Sequence, residues 1–435
     1  MLISIKVQNF RSIKEEQAFS LEASGGKSKP DNYFEVDTPQ GSIKLLAGAV
    51  VYGPNASGKS NFFRAVSALK WFVENAAQLK VGERIACYEP FRLDTATATA
   101  PVSFEVVFIV EHVRYTYAIS FGASEVVAER LMYYPEGKKR LVYEREKHDA
   151  QTDTIKLGKS VGKKGIDLEI FKNQLFLSRF GSEKPHPQLT KVFAFFQELD
   201  VWNASDEINI QLLKHEMAAR LTTSGEDSDF ARKVSELVSV SDTGIAEIFV
   251  REARAEDFKL PEFIPDDVKE KIFQENKMRT FARHARYDGA EVSGFEDFEL
   301  EEESVGTQAL FAIDGLLLKK LEQGGVVFID EFNNSLHPHL ARFLVRLFLS
   351  KVANPHHAQL VIATHEIELM TKDMLRQDQI WFTEKDKRGQ TTLYAADDFD
   401  DVRDDSAFDR LYLNGKFLAL PRLKTSRFLL QTPQA

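Results

Sequence analysis

The chain opens with short runs that alternate apolar and polar residues, which is the period of a half-buried β-strand. Such alternation, or a continuous apolar run, predicts four strands: 2–8 as an edge strand, 45–52 as a buried strand, and 102–110 and 113–121 as a pair. A glycine-bearing loop follows the buried strand and leads into apolar residues at helical spacing, from Lys59 to about residue 79. Residues 1–145 therefore predict an α/β half-domain with added antiparallel strands.

The pattern changes after residue 145, where polar and charged stretches at helical spacing dominate. The clearest of these stretches are 206–220 and 266–285. Apolar heptads are not sustained over several turns, which argues against a long coiled coil. We therefore predict that residues 146–295 form an inserted, mainly helical subdomain.

Strands and helices alternate again from residue 296 onward. The spacing predicts helices at 305–320 and 338–351 and strands at 326–329, 360–363, 379–382 and 391–394. Residues 296–435 therefore predict the second half of the α/β unit that residues 1–145 begin. The expected fold class is α/β, with a mixed, mostly parallel sheet and added antiparallel strands.

Composition limits the class of protein further. With 435 residues, 43% of them hydrophobic, the chain is long enough for two or three structural units with a sizeable core. No apolar run approaches the roughly 18 residues of a membrane span, and the first residues lack a signal peptide's apolar run. The single cysteine, Cys87, excludes an internal disulfide. We expect a cytoplasmic protein with no membrane association, and a net charge of −10 gives no global attraction to nucleic acid.

Residues 53–60 (GPNASGKS) form a complete GxxxxGK[ST] phosphate-binding loop between a predicted strand and a predicted helix. The glycines let successive backbone N–H groups point at phosphate oxygens, and the helix adds its positive N-terminal end. Lys59 is expected to reach the β- and γ-phosphates, and Ser60 to offer its hydroxyl to Mg²⁺. The loop therefore predicts ATP and Mg²⁺ as ligands. The predicted binding residues are Gly53, Asn55, Ala56, Ser57, Gly58, Lys59, Ser60 and Asn61.

Two later strands end in residues that complement this loop. The strand 326–329 ends in Asp330, predicted to hold Mg²⁺ because a hard cation prefers oxygen ligands, and in Glu331, predicted to activate the attacking water as general base. The strand 360–363 leads to His365. A histidine at a strand end is more often structural than functional. If the two strands are parallel neighbours, however, His365 reaches the same sheet edge, where an imidazole can contact the γ-phosphate.

A fourth segment opens the predicted helix at 305–320. It carries Ser304 and Gly306, followed by Thr307 and Gln308. A serine and a glycine two residues apart at a helix start can present a hydroxyl and free N–H groups to an anion. Taken alone, the segment is also an ordinary helix cap.

These four motifs, in this order, resemble the ABC-type ATPase heads of the SMC, RecF and OLD lineage. The turn 10–13 (FRSI), just after a first strand, is similar to the start of those heads. The stretch 330–338 (DEFNNSLHP) and the tail 412–421 (YLNGKFLALP) are typical of the smaller bacterial relatives of those heads. The tail and the whole layout are most similar to the RloA and AbiLi type ATPases of phage-defence operons. The resemblance is specific in residues 1–110 and 295–420 and weak between them.

The resemblance implies that the fourth segment is the signature motif, formed by Ser304, Gly306, Thr307 and Gln308. In such heads the signature contacts the γ-phosphate bound on a second protomer. ATP would then be sandwiched in a homodimer or a higher homo-oligomer, with Asn334 and Ser335 near the seam. ATP binding would favour the closed dimer, and hydrolysis by Glu331 would release it.

Two features depart from the family pattern. The signature begins Ser-Val-Gly-Thr rather than Ser-Gly-Gly or Ser-Lys-Gly, which leaves its role in trans open. No glutamine lies at an obvious Q-loop position after the first helix, and we assign no role to the segment 89–92 (EPFR) in that region.

Two functions share this chemistry and stay open. One is an ATP-gated sensor and scaffold of antiphage defence that controls an effector protein from the same operon, with DNA or a phage protein as trigger. The other is a DNA-repair or DNA-end-binding ATPase of the RecF type. The negative net charge and the lack of long coiled coils favour the sensor.

Two further functions are disfavoured. A fused nuclease is disfavoured because only 70 residues follow His365, against the roughly 100 of a separate domain, and because the acidic run 397–401 resembles a solvated loop more than a metal site. A transporter subunit is disfavoured by the insertion, since about 270 residues separate Lys59 from Asp330.

Overall fold

The computed structural model describes residues 1–25, 28–148, 152–162, 166–181, 185–225, 228–241, 244–252, 265, 278–334 and 336–420. The predicted helical residues 266–277, the proposed seam residue Ser335 and the end of the tail motif, Pro421, lie outside this part of the chain. Within the described ranges, no helix is both long and apolar enough to cross a membrane.

The described secondary structure alternates between short strands and helices. The strands are β1 Leu2–Gln8, β2 Gln17–Ser20, β3 Tyr33–Thr38, β4 Gly41–Leu46, β5 Gly48–Tyr52, β6 Val102–Val110, β7 Val113–Phe121, β8 Val126–Tyr133, β9 Arg140–Lys147, β10 Thr152–Leu157, β11 Glu169–Phe171, β12 Asp200–Asn203, β13 Ile245–Glu252, β14 Met278–Asp288, β15 Glu291–Glu299, β16 Val326–Asp330, β17 Gln359–Ala363, β18 Ile380–Lys385 and β19 Thr391–Ala395. The helices are α1 Lys59–Asn75, α2 Leu189–Gln197, α3 Glu207–Ser224, α4 Asp229–Val240, α5 Val305–Gln323, α6 Pro338–Leu349 and α7 Phe408–Leu413.

A mostly parallel sheet forms the centre of the molecule. Its strand order is β12-β16-β17-β5-β18-β19, with every neighbour parallel except the edge strand β19. Strands buried on both faces read as continuous apolar runs, which is why β5, β16 and β17 are almost entirely apolar. In β16, Val326 and Phe328 face one core, and Val327 and Ile329 face the other.

Three antiparallel sheets surround the central one. The largest has the order β11-β10-β9-β8-β7-β6-β1-β2; β13-β14-β15 and β3-β4 form the two smaller ones. The hairpin between β6 and β7 turns through Glu111 (φ 47°) and His112 (φ 64°), and two positive φ values are what a two-residue hairpin turn needs. The predicted strand pair 102–110 and 113–121 is thereby confirmed.

Two hydrophobic cores lie on opposite faces of the central sheet. One packs α1 and α2 between that sheet and the large antiparallel sheet; Phe62 of α1 and Phe104 of β6 belong to it. The other packs α3, α4, α5 and α6 on the opposite face, through residues such as Leu213, Leu316 and Leu344. The predicted α/β class, a mostly parallel sheet with added antiparallel strands, is confirmed.

Two details of the first half differ from the prediction. Strand β1 is not an edge strand, because the short β2 pairs with its free side and takes the edge. The run 45–52 is not one strand: it divides at Ala47 between β4 and β5, which belong to different sheets. A Cβ on Gly48 would lie 2.3 Å from the carbonyl oxygen of Leu360, so glycine is what lets β5 begin against β17.

In its described residues, the middle of the chain is less helical than predicted. Helix α3 confirms the stretch 206–220, but residues 278–285 lie in strand β14. The described part of 146–295 contains α2, α3 and α4, yet it also contains β10 to β14 and most of β15. The described residues of this segment are therefore a mixture of helix and strand, and not mainly helical as expected. Its boundaries as a separate subdomain stay a prediction.

Candidate nucleotide-binding site

Three central strands place the predicted motifs at one edge of the sheet. Strands β5, β16 and β17 are parallel, with Val51 opposite Ala363 and Ile329 opposite Ile362. The phosphate loop follows β5, Asp330 ends β16, and His365 comes two residues after β17. The carboxyl ends of parallel strands are where open α/β sheets bind their ligands. The parallel neighbours that the sequence analysis required for His365 are therefore present.

The loop 53–60 contains two positions, Gly53 and Gly58, where the backbone conformation and the close neighbours require glycine. Gly53 has φ 155° and Gly58 has φ 118°, both in the region that favours glycine. A Cβ on Gly53 would lie 2.4 Å from Thr383 Oγ1, and one on Gly58 would lie 2.2 Å from Thr391 Oγ1. Helix α1 starts immediately after Gly58, so its unpaired N–H groups open onto the loop.

Lys59 is buried, with 4% of its surface exposed, and its ammonium group is fixed by two contacts. Nζ donates a hydrogen bond to the carbonyl oxygen of Gly53 (2.9 Å) and lies 3.1 Å from Nε2 of His365. Burial lowers the pKa of Lys59, and the nearby carboxylates of Glu331 and Asp330 oppose that shift. The ammonium is thus held over the loop, where it can meet phosphate oxygens.

Asp330 and Ser60 form the pair expected for a magnesium site. Asp330 is buried, and burial raises the pKa of its carboxyl; a hydrogen bond from Ser60 and the charge of Lys59 lower it, while the neighbouring Glu331 raises it. Mg²⁺ in nucleotide sites is held by one or two carboxylates together with phosphate oxygens and water. The hydroxyl of Ser60 beside the buried carboxylate of Asp330 fits that requirement.

Glu331 follows at the end of the strand with an unusual backbone. Its φ of 54° is rare for a residue with a side chain, and its N–H donates to Oδ1 of Asp330 (3.1 Å). Residues held in such conformations cluster at functional sites, because the surrounding structure must compensate the strain. Asn333 also braces this edge, since its Oδ1 accepts from the hydroxyl of Thr364 (2.7 Å).

A cavity of about 670 Å³ opens beside the loop, within the size range of small-molecule sites. Its walls come from the phosphate loop, His365, the turn after β18 and the C-terminal segment. The residues that line it are Gly53, Pro54, Asn55, Ala56, Ser57, His365, Glu384, Lys385, Asp386, Tyr412 and Leu420. The tail motif that suggested the family resemblance therefore contributes Tyr412 to the surroundings of the loop.

Three hydroxyl residues brace the loop, and sequence reasoning did not assign them to the site. Thr391 Oγ1 donates to Ser57 O and to Ser12 Oγ, both at 2.8 Å, although one hydrogen serves only one of them at a time. The amide of Asn61 donates to Ser12 Oγ (2.7 Å), and Ser57 Oγ lies 2.5 Å from Thr383 Oγ1. The FRSI turn was the available signal for Ser12.

The signature segment lies at the start of α5, and its side chains form hydrogen bonds with residues near that end of the helix. Ser304 caps the helix, accepting from the N–H of Thr307 (3.1 Å), and its hydroxyl lies 2.9 Å from Thr307 Oγ1. The side chain of Gln308 bonds to Lys214, Glu301 and Glu303. No described hydrogen bond joins these residues to the phosphate loop of the same chain.

The segment 89–92 and the acidic run 397–401 each form contacts with nearby segments of the fold. Glu89 pairs with Arg11 of the FRSI turn, and its carbonyl oxygen accepts from the Arg11 N–H (2.7 Å), whereas Arg92 is exposed. In the acidic stretch, Asp397 accepts from the Gln377 side chain. Among the described residues, no group of three or more His, Cys, Asp or Glu is arranged to hold a metal ion.

The fold and the site define a P-loop nucleotide-binding protein. The sequence matches the family described as "AAA domain, putative AbiEii toxin, Type IV TA system" over residues 49–371, which is more than half of the chain, so the chain belongs to that family. The match spans the loop, the signature, Asp330, Glu331 and His365. A search of curated proteins gives no match.

Comparison with solved structures gives heads of SMC proteins. One is the "SmcHead bound to the C-winged helix domain of ScpA", at 12% identity and a TM-score of 0.46, covering 91% of this chain and 97% of that one. Another is the SMC head domain from Thermotoga maritima, at 13% identity and a TM-score of 0.40, covering 91% and 98%. A third, an Smc head with an extended coiled coil derived from Pyrococcus furiosus and bound to the C-terminal domain of ScpA, has 11% identity and a TM-score of 0.39, covering 96% and 99%.

Proposed function

We propose that this chain binds ATP with Mg²⁺, dimerises around it and hydrolyses it, and that this cycle controls a separate effector in antiphage defence. The observation that carries the proposal is the arrangement at one sheet edge, where the buried ammonium of Lys59 lies 3.1 Å from His365 and within the field of Asp330 and Glu331. A buried cation in a glycine-rich loop, with carboxylates opposite it, suits a nucleotide triphosphate and its metal.

The chemical roles follow from these positions. The N–H groups of the loop and Lys59 bind phosphate oxygens, and Ser60 and Asp330 hold Mg²⁺, which neutralises charge on the phosphates. Glu331 takes the proton of the attacking water as general base. His365 accepts a hydrogen bond from Lys59 and orients it, and it is placed to sense the γ-phosphate.

A second copy of the chain completes the site. Ser304 and Gly306 lie at the N-terminus of α5, where free N–H groups and the helix dipole attract an anion. No described hydrogen bond joins them to the phosphate loop of their own chain, and Val305 between them is 75% exposed. We propose that this surface meets the γ-phosphate on a partner chain, near Asn334. ATP then favours closure because it contacts the closed dimer better than the open one.

The biological role is proposed from the family and from charge. The family is described as a putative AbiEii toxin of a type IV toxin–antitoxin system, and this description supports a role in defence. The net charge of −10 favours a protein effector over DNA as the main partner. A RecF-type repair ATPase would instead bind DNA with a steep dependence on salt concentration.

A mixing experiment tests the sandwich. Lys59→Met removes nucleotide binding but keeps the signature, and Ser304→Arg blocks the signature but keeps the loop, so each variant alone should lose ATP hydrolysis. Mixed at equal amounts, the two should recover up to about a quarter of wild-type activity, because half of the dimers then contain one intact site. No recovery on mixing, or an active Ser304→Arg variant alone, would contradict a site shared between two chains.

A further inference from the structure

Side chains from two other elements form hydrogen bonds with the residues at the start of α5. The Nζ of Lys214 in α3 donates to Oε1 of Gln308 (2.6 Å) and lies 3.3 Å from a carboxylate oxygen of Glu301. The Nε2 of the same glutamine donates to the carbonyl oxygens of Glu301 (3.3 Å) and Glu303 (2.9 Å). The residues just before Ser304 are therefore tied to α3 through one glutamine.

Strand β14 adds a second tie from another direction. Nε2 of His284 lies 2.8 Å from Oε1 of Glu303, the residue before Ser304. The ring of His284 also meets the ring of Phe298 edge-on, with centroids 5.5 Å apart. The signature segment is thus fixed from α3 on one side and from the β14–β15 hairpin on the other.

The burial of Lys214 shows that this tie is specific. Its side chain is only 5% exposed, and Leu213 and Met217 of the same helix are also buried. An apolar side chain at this position would pack without the cost of desolvating a charge. Removing an ammonium from water costs several kcal/mol, and a buried ammonium that loses its partners leaves that cost uncompensated. The bonds of Lys214 go to Gln308 and Glu301, and both belong to the signature region.

Helices α3 and α5 are also closely packed at positions away from the signature segment. A Cβ on Gly315 of α5 would lie 2.7 Å from Sδ of Met217, so the glycine lets α3 approach. Two further ion pairs join the helices: Lys319 with Glu216 (2.5 Å) and Arg220 with Glu322 (2.8 Å). These pairs lie toward the other end of α5 and make no described contact with the signature.

We infer that Lys214 is a positioning residue for the signature segment 304–308. Through this contact, helix α3 would determine how tightly the signature of one chain binds the ATP held by another. This inference rests on the proposed function. Lys214 does not contact the phosphate loop in the described structure. Its loss should therefore leave ATP binding by a single chain unchanged and weaken only the sandwich.

The test uses the full-length chain with Glu331→Gln, which holds ATP without turnover. Into it we would introduce Lys214→Met, the charge-preserving Lys214→Arg, and Lys319→Met as the matched loss of an α3–α5 ion pair away from the signature. ATP affinity at dilute, monomeric concentration, the dissociation constant of the ATP-bound dimer and the melting temperature are measured for each. Lys214→Met should weaken dimerisation at least about tenfold with unchanged ATP affinity, and Lys214→Arg should restore it to within about threefold.

Each other outcome has a defined meaning. If Lys214→Met dimerises like its parent, or if it and Lys319→Met weaken the dimer equally, Lys214 only joins α3 to α5 and the inference is wrong. If Lys214→Met unfolds, His284→Asn tests the same segment from β14 and should weaken the dimer in the same way. If the Glu331→Gln parent itself does not dimerise with ATP, the proposed function fails and the inference fails with it.

Discussion

The ammonium of Lys59 and the imidazole of His365 lie 3.1 Å apart, across the gap between the loop after β5 and the end of β17. Burial lowers the pKa of His365, and the positive charge of Lys59 lowers it further. The imidazole is therefore neutral at pH 7 and accepts the hydrogen bond that the ammonium donates. A γ-phosphate would compete with His365 for this ammonium. Nucleotide binding in the loop would therefore change the hydrogen bonding of His365, just after β17.

Lys59→Met should weaken ATP binding strongly without unfolding the chain. The side chain keeps its length and its contacts with the core but loses the charge, and hydrogen bonds to charged groups contribute about 1.5–3 kcal/mol each. We expect ATP affinity to fall by about 10- to 100-fold for each lost phosphate contact, as measured with a fluorescent ATP analogue.

The control for this variant is Lys70→Met on the same helix. Lys70 bonds to the carbonyl oxygen of Gln197 and pairs with Glu74, away from the loop. ATP affinity should be unchanged in this variant. Equal losses in the two variants would mean that a general charge effect, and not the loop contact, explains the result.

Thr391→Val should loosen the phosphate loop from the side of β19. The hydroxyl of Thr391 is placed to bond to Ser57 O or to Ser12 Oγ, and valine keeps its shape but not this hydrogen bond. A buried hydrogen bond contributes about 1 kcal/mol, so ATP affinity should fall about fivefold. Thr392→Val, on the exposed side of the same strand, is the matched control and should bind ATP normally. An unchanged affinity in Thr391→Val would show that the loop does not depend on this brace.

Asp314 in α5 should give the protein a dependence of stability on pH. Its carboxyl is fully buried, and neither oxygen has a hydrogen-bond partner among the described residues. Burial raises its pKa well above the ordinary value of 3.8. The folded chain thus keeps this proton to higher pH than the unfolded chain does. The stabilising effect of the neutral carboxyl is complete below the unfolded pKa and is lost as the pH rises through the folded pKa.

The variant Asp314→Asn removes this titration while keeping the shape of the side chain. Its melting temperature, relative to that of the wild type, should therefore rise as the pH increases above the ordinary carboxyl pKa of 3.8. Asp288→Asn, at the exposed end of β14, is the control and should follow the wild type. A constant difference between Asp314→Asn and the wild type at all pH values would show that Asp314 does not titrate differently on folding.

The sequence predicted the parts of the site that depend on local pattern. The loop 53–60 and Asp330 were recognisable because their chemistry requires fixed residues at fixed spacing beside a buried strand. His365 could be proposed because it follows an apolar run that, as a parallel neighbour of β16, brings it to the same sheet edge, and β16 and β17 do pair in parallel. These features can be recognised in the sequence without knowing which distant segments come into contact.

The parts that were missed depend on contacts between distant segments. Thr391 reaches Ser57 and Ser12 over more than 330 residues, and nothing near it in the sequence marks that contact. Strand β14 was taken for helix because its polar residues hide the two-residue period. Arg283, for example, donates a hydrogen bond to Asp297 on β15 (2.8 Å), and such a cross-strand pair of charges is visible only once the pairing of the strands is known.

The most direct test of the account is the mass of the Glu331→Gln variant in solution, measured by light scattering with and without ATP and Mg²⁺. The substitution keeps the shape of the side chain but removes the base, which contributes about 10²- to 10⁴-fold to such reactions, so bound ATP persists. The account predicts a shift to a dimer or larger assembly with ATP, and a weaker or transient shift for the wild type. A mass that neither ATP nor the substitution changes, with hydrolysis unaffected by Glu331→Gln, would contradict both the catalytic role of Glu331 and the ATP sandwich.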